Sequence, residues 1–336
     1  MNMTGTMTKE LAQILAAAGV PAESVRDTRE LSGGTYNTVT LLTLADGREL
    51  VLKVPPHQDQ PTLAYERDLL RAEAMFCRAA HEAEGDVPVP RVEAVYTDGG
   101  SEVGPYLLMT AMPGTRWPEA REHFLEGEQE GLRHDLGNLV ARLHTVVGDG
   151  FGYPSGALGP LASTWREAFT RMVVAVFDDA RRFNVKLSRP LEDIAQVLQR
   201  AFPVLDEIVV PRLVHFDLWD GNVLIESGPH GPRIGGLVDG ERMFWGDPLA
   251  DFVSGALLGE IEMDPWFLEG YRQEAGGAVV FDETSRLRIA LYRCYLYMIM
   301  LVEQVPRGAT SAERRWARRE LMPSLMAAVD TVAALS

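Results

Sequence analysis

The sequence predicts a bilobal α+β fold, with a small β-rich unit over residues 1–112 and a larger, mainly helical unit over residues 113–336. Three observations predict it. Strand-like runs dominate the first third of the chain. Beyond about residue 120, apolar residues recur at intervals of three and four, the period of an amphipathic helix. The length of 336 residues suits two units, at about 150 residues each. With 46% hydrophobic and 24% charged residues, composition is ordinary for a globular protein and excludes a disordered, collagen-like or coiled-coil chain.

Taken in order, residues 36–44 and 49–54 read as strands joined by Ala45-Asp46-Gly47-Arg48, a hairpin signal. A long helix over about 61–82 is expected next, since Leu63, Leu69, Leu70, Met75, Phe76 and Ala79 share helical spacing, and Gly85, Pro88 and Pro90 end it. Residues 91–96 and 106–112 fit two further strands, stopped by Pro113-Gly114. The second unit reads as helices near 128–147, 161–182, 189–208, 265–275, 284–304 and 311–333. Its exception is 213–238, where short apolar runs alternate with Gly and Pro, as in a functional loop followed by a small hairpin. The apolar segment 291–302 suits a central core or a dimer face, of which core is the commoner use.

The 48 acidic and 32 basic residues leave a net charge of −16, which opposes attraction to nucleic acid or to an anionic membrane surface. Cys77 and Cys294 lack metal or redox spacing and read as buried thiols of a reducing compartment. Lys9 and Glu10 interrupt the N-terminal region where an export signal would be apolar, and the uncharged run 294–302 is far short of the roughly 20 residues that span a bilayer. A cytoplasmic location is the expectation.

The strongest local pattern is Leu213-Val214-His215-Phe216-Asp217-Leu218-Trp219-Asp220-Gly221-Asn222-Val223-Leu224-Ile225, followed by Asp239 in Gly236-Leu237-Val238-Asp239-Gly240-Glu241. Its skeleton is HxDxxxxN, a strand, then Asp. Phosphoryl transfer from ATP asks a protein for an oriented acceptor and for magnesium held against the phosphates. Asp217 suits the hydroxyl acceptor as catalytic residue, and Asn222 and Asp239 supply oxygen ligands for Mg2+. Each alone has a plainer role, because Asp and Asn in Gly-bearing loops usually cap turns. A rival chemistry takes His215 and Asp217 as ligands of a hydrolytic metal centre, but the other six His residues form no matching constellation. Upstream, Gly33, Gly34 and Thr35 lie in a turn whose backbone can approach phosphate, and Lys53 stands alone among the apolar residues Val51, Leu52 and Val54. Lys53 either faces solvent or reaches phosphates while braced by a Glu of the next helix, Glu73 or Glu66.

Together with Val87-Pro88-Val89-Pro90, Leu107-Leu108-Met109 before Pro113-Gly114, Leu139-Val140-Ala141-Arg142-Leu143-His144 and Gly246-Asp247-Pro248-Leu249-Ala250-Asp251-Phe252, these pieces stand in an order that resembles the aminoglycoside phosphotransferase family of kinase-like enzymes. The resemblance covers most of the chain and is strongest over 213–252. It implies a protein-kinase-like fold, an N-terminal nucleotide-binding lobe ending in a hinge at 109–112, and a C-terminal lobe carrying the acceptor site. It also implies Asp217 as catalytic residue, Asn222 and Asp239 as magnesium ligands, and Lys53 with Glu73, in preference to Glu66, as phosphate clamp. Met109, Thr110 and Met112 would receive the adenine, and His215 and Asp251 would support the catalytic loop. Two residues depart from the family pattern: Phe216 replaces the Gly usual between His and Asp, and Gly240 stands where an aromatic often follows the metal Asp. Ketosamine kinases share the His-x-Asp-Leu-Trp-x-Gly-Asn wording.

The expected partner is therefore a small-molecule hydroxyl acceptor, with an aminoglycoside or related aminosugar leading and a ketosamine, amino alcohol or macrolide as alternatives. A nucleotide-binding regulator without catalysis is the contrasting class. A cationic acceptor would suit Glu260, Glu262, Asp264 and Glu269, and a sugar ring would suit Trp245, Trp266 or Tyr271, although solvated carboxylates and core aromatics are the commoner uses.

Overall fold

In the computed structural model, which describes residues 8–31, 37–55, 61–97, 104–229, 231–277 and 279–336, five antiparallel strands form one sheet. They are β1 (Val25–Glu30), β2 (Thr38–Leu44), β3 (Glu49–Val54), β4 (Val92–Tyr96) and β5 (Tyr106–Thr110), in the order β1-β2-β3-β5-β4. The β2–β3 turn closes as the sequence suggests: Arg48 N–H donates to Asp46 Oδ1 at 3.0 Å. The strand β1 has no apolar alternation because it is an edge, five of whose residues pair with β2 on one side only, and its sequence gives no strand signal. The helix α1 (Lys9–Ala17), capped by Thr8, likewise lies outside the elements that the sequence predicts.

Alternation along the inner strands divides the sheet into two apolar faces. Leu42, Leu44, Leu50, Leu52, Tyr106 and Leu108 pack with Ile14 and Leu15 of α1. On the opposite face Leu107 and Met109 meet Leu70 and Ala74 of α2 (Leu69–Ala80). Lys53 lies on this second face, opposite Val39 and Leu107 in register. The expected helix over 61–82 is shorter than its apolar spacing implied. A single 3-10 turn, Ala64–Glu66, comes first, and Asp68 in a left-handed conformation (φ 61°) breaks the chain before α2 begins. Glu66 and Glu73 therefore do not share a helix.

The C-terminal part contains β6 (Thr115–Arg116), α3 (Trp117–Ala120), α4 (Glu128–Leu143), α5 (Trp165–Arg182), α6 (Leu191–Ala201), β7 (Arg212–Val214), β8 (Val223–Gly228), β9 (Gly231–Leu237) and β10 (Phe244–Gly246). It continues with α7 (Leu249–Gly255), α8 (Pro265–Ala275), α9 (Glu283–Val302), α10 (Ser311–Trp316) and α11 (Met322–Leu335). The expected helix over 311–333 is interrupted by a π turn at Ala317–Leu321, just before Pro323, whose ring cannot complete the preceding ladder. The segment 291–302 is core: Leu291, Tyr292, Cys294, Met298 and Ile299 are fully buried in α9. Both cysteines are buried free thiols. Among the described residues no helix is long and apolar enough to cross a membrane.

Phe216, in the place of the family's Gly, takes φ 62°, a conformation that favours glycine, yet its ring is fully buried 5.0 Å from Phe244 and 5.7 Å from Tyr295. Left-handed backbone costs about 1–2 kcal/mol and loss of a buried Phe side chain about 3–5 kcal/mol, so packing outweighs strain. Phe216→Gly is thus expected to lower unfolding stability by about 2–3 kcal/mol despite relaxing the backbone, as measured by urea denaturation; a more stable variant would contradict this balance.

Candidate active site

The loop after β7 is held from below by α7. Asp251, buried at the start of that helix, accepts the backbone N–H of Phe216 at Oδ1 (2.7 Å) and that of His215 at Oδ2 (3.0 Å), with His144 Nε2 also 3.0 Å from Oδ2. Ser254 Oγ, one turn on, accepts the N–H of Leu218 at 3.1 Å. His215, Phe216 and Leu218, on either side of Asp217, are thereby fixed. His215 adds a lateral tie: its Nδ1 accepts the Asp217 N–H (3.2 Å), so the proton sits on Nε2, which donates to Val238 O (3.0 Å). Both ring nitrogens are consumed, and His215 has none left for the hydrolytic metal centre that the sequence allowed.

Asp217 and Asn222 converge as their spacing predicted. Asn222 Nδ2 donates to the Asp217 backbone O (2.8 Å) and to Asp217 Oδ2 (3.1 Å), which leaves the amide oxygen of Asn222 to accept or to ligate. No group among the described residues binds Asp217 Oδ1. Burial raises the Asp217 carboxyl above its ordinary value, and the neighbouring Arg242 guanidinium partly opposes that rise. Arg242 escaped the sequence reading. It sits in the 3-10 turn after Asp239 with Nε 3.8 Å from Asp217 Oδ2 and Nη2 2.9 Å from Glu303 Oε2. Its only sequence signal was a lone Arg between the metal segment and the GDP segment.

Lys53 and Glu73 meet as the family resemblance implied. Lys53 Nζ lies 2.7 Å from both Glu73 carboxylate oxygens and also donates to Asp239 Oδ1. Burial works against the ammonium charge, but Asp239 and Glu73 outweigh it and hold the Lys53 pKa well above its ordinary value. In return Lys53 overcomes the burial of Asp239 and holds that carboxyl below its usual range. Glu66 is engaged elsewhere, with Arg307 and with the Leu63 N–H. A further carboxylate that the sequence did not reveal, Glu241, accepts from Asn37 Nδ2 (3.1 Å); burial, with Glu73 and Asp239 close by, pushes it up to about 8.

The hard oxygen donors suited to magnesium are thus the Asn222 amide oxygen and the second oxygen of Asp239, whose side chain stays 35% exposed. These two fit the ion in chemistry. For the purine, Val39, Leu41 and Val51 leave the Lys53 face half-exposed and apolar. At the hinge the outcome is divided. Met109 is buried against α2, and Thr110 is committed to the sheet, its N–H donating to Arg91 O and its hydroxyl accepting from the Arg91 N–H. Thr110 and Met112 are both half-exposed, but of the two only Met112 has an N–H that no backbone carbonyl among the described residues takes. Gly33, Gly34 and Thr35 lie outside the described residues.

The missing aromatic after Asp239 is supplied from another element. Phe76 of α2 occupies that space, such that a Cβ on Gly240 would stand 2.2 Å from its ring, and the same ring meets His215 edge-on at 4.8 Å. The carboxylates that would suit a cationic acceptor are each paired with an arginine. Glu260 pairs with Arg293, Glu262 with Arg286, Asp264 with Arg133 and Glu269 with Arg272, at 2.6–2.7 Å. Trp245 and Tyr271 are core residues, and only Trp266 is exposed.

The Phosphotransferase enzyme family matches residues 27–289. An aminoglycoside 3'-phosphotransferase from Streptomyces fradiae is 24% identical over 207 residues, covering 62% of this chain and 72% of its own. A probable ketoamine kinase from Enterococcus faecium is 24% identical over 281 residues, covering 80% and 86%. Among solved structures, a thermostable mutant of aminoglycoside phosphotransferase APH(4)-Ia, in ternary complex with ADP and hygromycin B, superposes with a TM-score of 0.62 at 19% identity over 97% of this chain and 99% of that one. Lys53, residues 109–112, the loop of Asp217 and the segment of Asp239 all fall within the matched residues, and the chain belongs to the phosphotransferase enzyme family.

Proposed function

We propose that this small-molecule kinase moves the γ-phosphate of ATP to a hydroxyl of a polyhydroxylated amine, with Asp217 orienting that hydroxyl and accepting its proton. The carrying observation is the asymmetry of the Asp217 carboxylate: Oδ2 is pinned by Asn222 Nδ2 while Oδ1 meets no described group. A fixed carboxylate with one oxygen open is what a positioned acceptor of a hydroxyl proton requires.

Residues 1–112 serve in this reading as the nucleotide lobe. Lys53 is the phosphate clamp, and the bidentate brace from Glu73 keeps its ammonium on the cleft face of the sheet. Asn222 and Asp239 would hold Mg2+ through oxygen. Magnesium, when bound, neutralises charge developing on the transferred phosphoryl group. Met112 supplies the hinge N–H for the adenine edge, and Val39, Leu41 and Val51 its apolar cover. The proton acceptor and both metal donors argue against a binding-only regulator, which has no use for the former.

For the acceptor, the names of the relatives favour an aminoglycoside or a ketoamine, both of which are polyhydroxylated compounds bearing nitrogen. The ammonium groups of such a compound would not find free partners at Glu260, Glu262, Asp264 or Glu269, where each carboxylate already carries an arginine. A screen of ATP consumption over aminoglycosides, ketoamines, amino alcohols, macrolides and nitrogen-free polyols tests the class, and turnover restricted to the nitrogen-free polyols would refute the amine. A cytoplasmic site of action fits the two buried free thiols.

With the acceptor found, Asp217→Asn is expected to lower kcat by roughly 10²–10⁴ with nucleotide affinity changed at most a few fold; full turnover would remove Asp217 from its role. Arg242→Gln removes the charge that opposes the effect of burial on Asp217. The carboxyl then protonates at higher pH, and the acid limb of the kcat–pH profile should move toward neutrality, whereas a shift to lower pH would contradict the assignment. Asp239→Ala should abolish the strengthening of nucleotide binding by magnesium in calorimetric titrations, and a magnesium effect of ordinary size would count against Asp239 as ligand.

A further inference from the structure

We propose that Glu303 is a positioning residue whose charge holds the Arg242 guanidinium back from Asp217, a proposal that rests on the reading of Asp217 given above. Arg242 is 8% exposed; the carboxylates of Glu303 and Asp217 lie 2.9 and 3.8 Å from it, and Glu241 and Tyr65 act on its charge from further off. Its Nη2 meets Glu303 Oε2 at 2.9 Å, within the range of a fully formed charge-assisted bond, whereas its Nε stands 3.8 Å from Asp217 Oδ2, beyond it. The guanidinium is anchored on the glutamate and merely near the aspartate.

Glu303 is fixed in turn. It follows the last residue of α9, the central helix of the C-terminal core, and its Oε2 lies 3.2 Å from Arg307 Nη2. Arg307 also bonds Glu66 Oε1 at 2.5 Å, and Glu66 Oε2 accepts the Leu63 N–H at 2.7 Å. Charges therefore alternate along Arg242, Glu303, Arg307 and Glu66, from beside the catalytic loop to the segment that leads into α2. Arg307 meets the same Glu303 oxygen as Arg242 does, which ties the glutamate to a second cation away from Asp217.

The consequence follows from burial. A buried guanidinium requires a counter-charge, and without Glu303 the nearest carboxylate is Asp217. Closure onto Asp217 would engage both of its oxygens in a planar fork and occupy Oδ1, the atom left open for the hydroxyl. A bridge that served only stability would have no such effect on turnover.

The test pairs crystal structures of the full-length protein and its Glu303→Gln variant with kinetics, using ATP and the acceptor turned over fastest in the screen. In the variant Arg242 should close on both Asp217 oxygens at about 2.8 Å. The variant's kcat should fall roughly 10- to 100-fold while KM for ATP and the melting temperature stay near those of the parent. Adding Arg242→Gln to Glu303→Gln should recover most of the loss, and Glu303→Asp, which keeps the charge, should lose less than Glu303→Gln. An Arg242 that stays apart from Asp217, an unchanged kcat, no recovery in the double variant, or the reverse order of Asp and Gln would each overturn the proposal. The position of Arg242 is read without any activity, so failure of the Asp217 assignment itself, seen as full turnover in Asp217→Asn, is told apart from failure of this one.

Discussion

The buried carboxylate of Asp251 is the constraint on which the catalytic side of the molecule depends. It accepts two consecutive backbone N–H groups, those of His215 and Phe216, and faces His144. A fully buried acid is stable only when its lone pairs are taken up, and here they are taken up by the loop that must be held still. The bond geometry also accounts for the left-handed Phe216: presenting two successive N–H groups to one carboxylate turns the backbone sharply, and the aromatic core around Phe244 and Tyr295 compensates for the strain.

A second buried charge, Lys53, links the two halves. Its sheet contributes the ammonium, α2 contributes Glu73, and the C-terminal segment after β9 contributes Asp239. Phe76, three residues beyond Glu73, packs on both Gly240 and His215, so α2 touches the loop of Asp217 and the segment of Asp239 with one face. A shift of α2 would alter the Lys53 brace and the packing beneath Asp239 together. The helix is thus the element through which the two halves share a geometry.

The charge pattern of the surface has a plainer explanation than substrate recognition. The carboxylates after α7 sit opposite arginines of α4, α8 and α9, bonds that join separate helices of the C-terminal part or brace α8. Acidity in composition does not specify an open anionic receptor, because pairing is decided by which helices meet.

What the sequence by itself determined is the chemistry and its order: a strand lysine, an HxDxxxxN loop, a later aspartate, and the change from two-residue to helical periodicity that announces a β-rich unit before a helical one. These are short-range patterns, written within a few turns or strands, and they remain visible without coordinates. Edge strand β1 and helix α1 were not legible, since an edge needs no apolar alternation and a short helix needs only two buried residues, Ile14 and Leu15. Tertiary structure alone decided that Glu66 turns away to Arg307, that Phe76 stands in for an absent aromatic, and that Arg242 bonds Glu303 while standing beside Asp217. Each of these is a choice among chemically equivalent residues. Such a choice is made by distance and burial between segments far apart in the chain, quantities that no local pattern encodes.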